Sequence, residues 1–553
     1  MKSSIDENNS KKNLFKQAGI LAIAGIISRI IGLLYGSPLA AIIGDEGNGY
    51  YAAAYAVYTI VLLISSYSIP SAMSKIISGK LAVKEYKNAH RIFKCAIIYV
   101  SVVGGIGSLI LFFAADILVA GRSATVLRFF APTIFIFGFL GVLRGYFQAH
   151  RTMIPTSVSQ LLEQIFNALV SVGGAFFLTN LAGTEDTTKR AVYGAIGSSL
   201  GTGAGVLIAL LFMLFVYSVN RDNIKKRIQK DTHDVMTNQE IFKLIFLIVT
   251  PFILSTCIYN ISTFLNSTLF SRILMHVKNV DESTIAYMYG IFNRKAMVIT
   301  NLPIALASAA ASAMIPEVST TFEKGDIEGA GSTVSRVTRI ILMISIPCAV
   351  GLFALARPVM MILFPQKASL DEASMLLRFL AITVVFYSLS TVTNAVLQGI
   401  GKVNFPVINA FVALIVQTVL LSVLLIYTNL GDVALCIVTV VYSFMMCVLN
   451  NVVMHKHLPV FYDLKKTYLY PSVSAVAMGI AAFGVYELFE LLFGFFVGND
   501  YFVNLFATMI AVFVASFVYF AVLIKSGGAS EEDIKRFPKG TAIAGLLKKI
   551  KLL

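Results

Sequence analysis

Apolar runs long enough to cross a bilayer recur fourteen times along these 553 residues, near 17–39, 49–70, 92–115, 124–148, 155–180, 190–219, 241–270, 284–314, 333–356, 373–398, 404–429, 431–454, 468–491 and 500–524. A helix needs about 20 apolar residues to span hydrocarbon, and a helix satisfies its own backbone polar groups there. The pattern therefore predicts an all-α polytopic membrane protein with 14 transmembrane helices. Composition agrees: 57% of residues are hydrophobic and 13% charged, with mean hydropathy +0.80. The first run has no small-residue cleavage pattern and reads as a span rather than a removed signal. With 41 Phe, 23 Tyr and no Trp, any interfacial aromatic belt rests on Tyr and Phe.

The formal charge of +15 is distributed by topology rather than gathered in a nucleic-acid patch. With the N-terminus inside, 32 of the 44 Lys and Arg fall on inner segments, nine fall outside, and Arg29, Arg294 and Lys295 fall within spans. That asymmetry predicts both termini in the cytoplasm and contact with anionic lipid headgroups, with no nucleic acid as partner. The stretch Ser71–Arg91 reads as a lysine-rich amphipathic helix on the membrane surface, and the tail over 525–553 as a basic amphipathic anchor. All five cysteines lie in apolar segments without a CxxC pair, and the six histidines lie near span ends or in loops, so neither a disulfide frame nor a metal site is expected.

An internal repeat sets the domain organisation. Leu127-Arg128-Phe129-Phe130-Ala131-Pro132-Thr133 opens the fourth span and Leu377-Arg378-Phe379-Leu380-Ala381-Ile382-Thr383 the tenth; the same offset of 250 pairs Gln148 with Gln398. Ser71-Ala72-Met73 and Ser312-Ala313-Met314 close the second and eighth spans. Two parallel six-helix lobes are expected, over 1–219 and 241–454, joined by a cytoplasmic linker at 220–240. Spans 13 and 14 follow within 455–524, then the tail over 525–553. Parallel repeats are a transporter architecture, with the substrate site at their interface.

The intramembrane polar residues carry the chemistry. Arg29 lies 13 residues past Lys16, about 20 Å beyond the inner boundary at ~1.5 Å per residue, too deep to snorkel back easily. It is either a cavity cation for an anionic substrate or a structural arginine held by a helix end or carboxylate. Arg294 and Lys295 sit at comparable depth in the eighth span; being about 100° apart on a helix, they need not face the same way. Arg294 suits bidentate phosphate contact, whereas Lys295 is a point charge. Glu163 and Gln164 lie two turns into the fifth span, with Glu163 as a proton or cation site, a counter-charge to a cavity arginine, or a packing hydrogen bond. Asp45 and Glu46 lie between glycines, as a solvated outer turn or an outer gate. No nucleotide loop, catalytic Ser/His pair or paired carboxylates are present, which points away from an enzyme.

Several of these segments resemble one family. Ile27-Ser28-Arg29-Ile30-Ile31-Gly32, Pro38-Leu39, Gly44-Asp45-Glu46-Gly47 and Ala54-Tyr55-Ala56-Val57-Tyr58 are similar to the opening of the MurJ/SpoVB-type lipid flippases. Arg144-Gly145-Tyr146-Phe147-Gln148, Met153, Pro155-Thr156, Ser159-Gln160 and Glu163-Gln164 resemble that family's fourth and fifth spans; Asn301-Leu302-Pro303, Ala305-Leu306 and Ile315-Pro316 resemble its eighth. The resemblance covers nearly the whole chain and places it in the multidrug/oligosaccharidyl-lipid/polysaccharide exporter superfamily, Gram-positive branch. It implies flipping of the undecaprenyl-pyrophosphate-linked wall precursor lipid II across a bacterial cytoplasmic membrane. It also implies two lobes around a cationic cavity, with spans 13–14 as a groove for the lipid tail.

By the same resemblance Arg29 matches the family's first-span arginine, while the eighth-span arginine aligns within a turn of Arg294 or Lys295. Two departures stand out: Tyr35-Gly36 replaces a second first-span arginine, and Tyr50–Pro70 carries no basic residue. Without an ATP site, the drive would be a Na+ or H+ gradient or the membrane potential, and no other cofactor is expected. The expected state is a monomer, alone or with cell-wall synthesis machinery. Rival readings are a flippase for teichoic or capsular precursors, a drug or ion antiporter of the same superfamily, a membrane glycosyltransferase or polymerase, and a scaffold.

Overall fold

The computed structural model describes residues 2–67, 69–150, 152–183, 186–496 and 498–528, and the regular structure among them is helical. Eleven helices among the described residues are long and apolar enough to cross a membrane. The protein is a multi-pass membrane protein. It divides into two compact units, Met1–Gly290 and Ile291–Leu553.

The first unit opens with α1 (Lys2–Leu62), which breaks at Gly44, where φ is 70° and ψ 177°. Only glycine enters that region without strain. The two apolar halves expected on either side of a turn are therefore joined at a single residue. A π turn, Leu63–Tyr67, leads to α2 (Ile69–Ala82) and α3 (Tyr86–Phe113). Then come a short α4 (Ala115–Leu118), α5 (Ser123–Ala149), α6 (Ile154–Leu181), α7 (Thr187–Gln229), α8 (Asn238–His276) and α9 (Glu282–Gly290).

Helix α2 is amphipathic as its sequence suggests, but its apolar face is not laid on lipid. Ala72, Met73, Ile76 and Ile77 are buried in one cluster with Ile92, Phe93, Leu143 and Tyr146 of α3 and α5. Protein packing competes for the same face and takes it. Helix α7 likewise runs ten residues past Val219 into the expected linker, because no breaker interrupts it and Ile224 packs on that cluster.

The remaining connection, 230–237, is docked rather than loose. The Asp231 carboxylate accepts the backbone N–H groups of Lys87 at 2.6 Å and His233 at 2.9 Å. The Asn88 side chain donates to the Asp234 carbonyl and accepts from the Met236 N–H. Thr237 and Glu240 then form a reciprocal cap on α8. The Lys87 N–H, followed by that of His233, pulls the Asp231 carboxyl down to about 2 from the usual 3.8. A carboxylate whose folded value is depressed contributes its stability above the ordinary value. The docking should therefore hold above about pH 4 and be lost as pH falls through about 2. Protection of the Lys87 amide against hydrogen exchange should follow that course, and Asp231→Asn should weaken it already at pH 7.

The second unit begins with a π turn, Ile291–Ala296, and α10 (Met297–Glu323). It continues through α11 (Ile327–Ala354), α12 (Ala356–Leu363), α13 (Leu370–Ala381), α14 (Thr383–Gly399), α15 (Asn404–Tyr427) and α16 (Asp432–His457). It closes with α17 (Tyr470–Gly494) and α18 (Asp500–Lys525). Ala311, Met314, Val334, Val396 and Met454 form one core where α10, α11, α14 and α16 meet. Ala475, Ala482, Ala507, Ala511 and Ala515 form another along α17 and α18. Small residues let these two helices approach closely, as is usual within membranes. The Tyr519 hydroxyl donates to the Met343 carbonyl at 2.7 Å, tying α18 to α11. The amphipathic tail expected over 525–553 lies, beyond Gly528, outside the described residues.

Candidate functional site

Arg29 lies on an exposed face of α1 among exposed Ile26, Ile27, Ile30 and Leu34. The opposite demands of α1 are met further along, where Leu39 and Ile43 pack on Ala175 of α6 and Asn167 donates to the Tyr35 hydroxyl. Tyr35, which with Gly36 replaces the second first-span arginine that the resemblance implies, thus serves helix packing.

Asp45 and Glu46 follow the break at Gly44. Asp45 is buried and Glu46 half-buried, which excludes a freely solvated turn for Asp45. Asn48 donates to the Gly44 carbonyl and Tyr50 to the Glu46 carboxylate. Helix α9 presses on this segment backbone to backbone. A Cβ on Gly49 would stand 1.7 Å from the Ala286 carbonyl oxygen, and one on Gly290 would stand 2.1 Å from that of Asp45. Only glycines permit that approach. At the start of α9, Glu282 accepts from the Arg122 N–H and covers Gly121.

Glu163 forms an ion pair. The Arg144 Nη2 donates to Glu163 Oε2 at 2.7 Å and its Nε to the Ser159 hydroxyl at 2.9 Å; Ser159 donates onward to the Thr156 carbonyl. Arg144 is only 6% exposed. Gln164, one position on from Glu163, is half-buried. Sequence reasoning counted Arg144 with the inner loop charges and missed its role. The signal was there: Arg144 lies between one and two turns before the end of α5, and Glu163 two to three turns into α6, so an antiparallel pair of helices brings them near one another.

Arg294 and Lys295 are separated by the π turn that carries them. Lys295 is buried, donating to the Ser369 hydroxyl at 2.7 Å with its ammonium 5.9 Å from the Phe364 ring centre. Arg294 is half-buried. A π turn inserts a residue and rotates the faces of a helix, a device common at functional positions. Here it turns the lysine into its own unit and leaves the arginine partly accessible. Ser369, just before α13, is a partner that no local pattern announces.

Among the described residues no group of three or more His, Cys, Asp or Glu is placed to hold a metal ion. An apolar cavity of about 390 Å³ lies along α11, α17 and α18, walled by Pro347, Gly351, Met478, Ala482, Ala515 and Phe520 among others.

The sequence matches the polysaccharide biosynthesis protein family over residues 14–322 and the MatE family over residues 251–424. It is 24% identical over 511 residues to "Lipid II flippase MurJ" of Bacillus subtilis (strain 168), spanning 88% of this chain and 90% of that one. It is 25% identical over 463 residues to "Stage V sporulation protein B" of the same organism, spanning 83% and 86%. Among solved structures, an inward-facing multidrug resistance MATE transporter of the MOP superfamily aligns with TM-score 0.62 at 16% identity, over 78% of this chain and 94% of that one. Lipid II flippase MurJ in an inward closed conformation aligns with TM-score 0.60 at 15% identity, over 91% and 99%. The fold is of the MurJ/MATE type.

Proposed function

The chain belongs to the polysaccharide biosynthesis protein family, and from that premise we propose that it translocates lipid II, the undecaprenyl-pyrophosphate-linked peptidoglycan precursor, across a bacterial cytoplasmic membrane by alternating access. The observation that carries this reading is Arg29, a cation exposed on an apolar helix. Intramembrane charges are costly and mark substrate paths. A pyrophosphate cannot cross hydrocarbon bare, and guanidinium groups are its natural ligands. In the second unit the guanidinium of Arg294 is partly accessible, whereas Lys295 is engaged with Ser369. A relative described as a lipid II flippase supports the cargo. The polyprenyl tail runs along α17 and α18, the last two spans.

The fourteen-span reading fits the helices. Ala24–Ala82 is 59 residues long, enough for two crossings with the break at Gly44 between them. Asn238–His276 is 39 residues long, and α9 with its π turn and α10 forms a further run from Glu282 to Glu323. The termini lie on the cytoplasmic side by charge asymmetry. A Na+ or H+ gradient or the membrane potential drives the cycle; the potential supplies about 2.3 kcal/mol per charge per 100 mV. The protein works as a monomer, alone or beside cell-wall synthesis enzymes.

Proteoliposomes loaded with lipid II, with a teichoic-type polyprenyl precursor, or with a cationic drug test the reading. Lipid II alone should reach the outer leaflet; drug export without lipid transport would overturn it. Transport of the other precursor in place of lipid II would move the assignment to that cargo. In the same assay Arg294→Ala should slow transport by about tenfold or more, the worth of one charge-assisted contact. Lys295→Met, nearly conserving volume, should leave the rate within about threefold and act on thermal stability instead. The reverse ranking would exchange their roles.

A further inference from the structure

We propose that the second unit also binds a glycerophospholipid from the inner leaflet, its phosphate held by Arg336, Arg339 and Lys466. The site is a cavity of about 630 Å³ between the first half of α11 and the chain around Pro459–Thr467 that leads into α17. That volume lies within the range of small-molecule sites. It is remote in sequence from every intramembrane cation considered above.

Its two arginines are held in place. The Arg339 Nη2 donates to the Gly528 carbonyl at 2.7 Å, and the Arg336 Nη2 to the Thr333 hydroxyl at 3.2 Å and to Glu317 at 3.1 Å. Lys466 stands 3.9 Å from Asp463, a loose pairing that leaves its other donors available. Ser332 and Ser335 line the same cavity, the latter donating to the Phe461 carbonyl. Two carboxylates, Glu328 and Asp463, also line it. With Glu317 at Arg336, Asp463 at Lys466 and Glu328 in the wall, the three cations stand against three carboxylates, and so nearly neutral a site suits the single charge of a phosphodiester better than a free dianion or a pyrophosphate.

The surroundings specify a lipid rather than a soluble phosphodiester. Phe461, which lines the cavity, and Leu464, next to Asp463 in the chain, are 84% and 69% exposed, as expected of side chains that enter the bilayer interface. Met343 lines both this cavity and the apolar one along α11, α17 and α18. Arg336, Arg339, Met343 and Pro347 recur at three- and four-residue spacing, which puts them along one side of α11. One face of one helix thus carries phosphate ligands at the end that the charge map places inside, and a chain groove beyond them.

Native mass spectrometry of the full-length protein in detergent tests this without any transport step, so its outcome is separate from that of the flippase reading. Phosphatidylglycerol should be retained at least about tenfold more than a diacylglycerol with the same chains, the range of a charge-assisted contact. Arg336→Gln combined with Arg339→Gln should bring that ratio below about two. Lys466→Gln alone should lower it severalfold, which keeps the test open if loss of the Arg339–Gly528 contact impairs folding. Gly351→Leu, which narrows the groove, should reduce both lipids alike. Equal retention of the two lipids, an unchanged ratio in the variants, or displacement by inorganic phosphate would overturn the proposal.

Discussion

Replacing Arg29 with glutamate should reduce translocation of lipid II by at least about 100-fold, because two charge-assisted contacts at ~1.5–3 kcal/mol each turn from attraction to repulsion. The variant should still insert and fold, since Arg29 lies on an exposed face and holds none of the packed core of α1. Arg29→Lys separates charge from geometry: it keeps the cation but loses the planar fork, and a loss of about tenfold is expected. A time-resolved leaflet assay in proteoliposomes gives both values, with circular dichroism as the folding control. Glutamate at position 29 with wild-type transport would remove the assignment.

The second large effect is on stability. Glu163→Ala should destabilise the first unit by about 3–5 kcal/mol, because it leaves the Arg144 guanidinium buried without its carboxylate. Replacing both partners with apolar residues of similar size, Arg144→Met with Glu163→Leu, should recover the loss to within about 1 kcal/mol. The comparison is made by thermal unfolding of the purified protein. A single variant that unfolds with the wild type would mean that water reaches Arg144. A double variant as unstable as the single one would mean that the pair does more than neutralise charge. Measuring transport on the double variant then tells whether Glu163 also carries a proton or cation.

Much of the fold was readable because membrane segments obey strong local rules. Apolar length, charge asymmetry and the break at Gly44 are properties of short stretches, and each has its physical cause within a few residues. The candidate site was readable only in part. Arg29, Arg294, Lys295 and Glu163 are conspicuous because charge is rare in apolar runs, yet conspicuousness does not say which way a side chain turns. Arg144 escaped because its run ends only a few residues later, so it passed for a loop charge. The apolar face of α2 was assigned to lipid because an amphipathic pattern is the same whether lipid or protein covers it.

The sequence by itself determined that this protein lives in a membrane and which residues would be costly there, since both follow from transfer free energies of local segments. Only the tertiary structure decided which of those costly groups are covered or partnered within a unit. Lys295 turns to Ser369 through a π turn, Glu163 meets Arg144 across two helices, and Asp45 is covered by α9 through glycine contacts. Arg29 stays exposed. A partner on another helix is set by rotation and register, about 100° for each residue, and those are fixed by packing against neighbours rather than by the helix's own sequence.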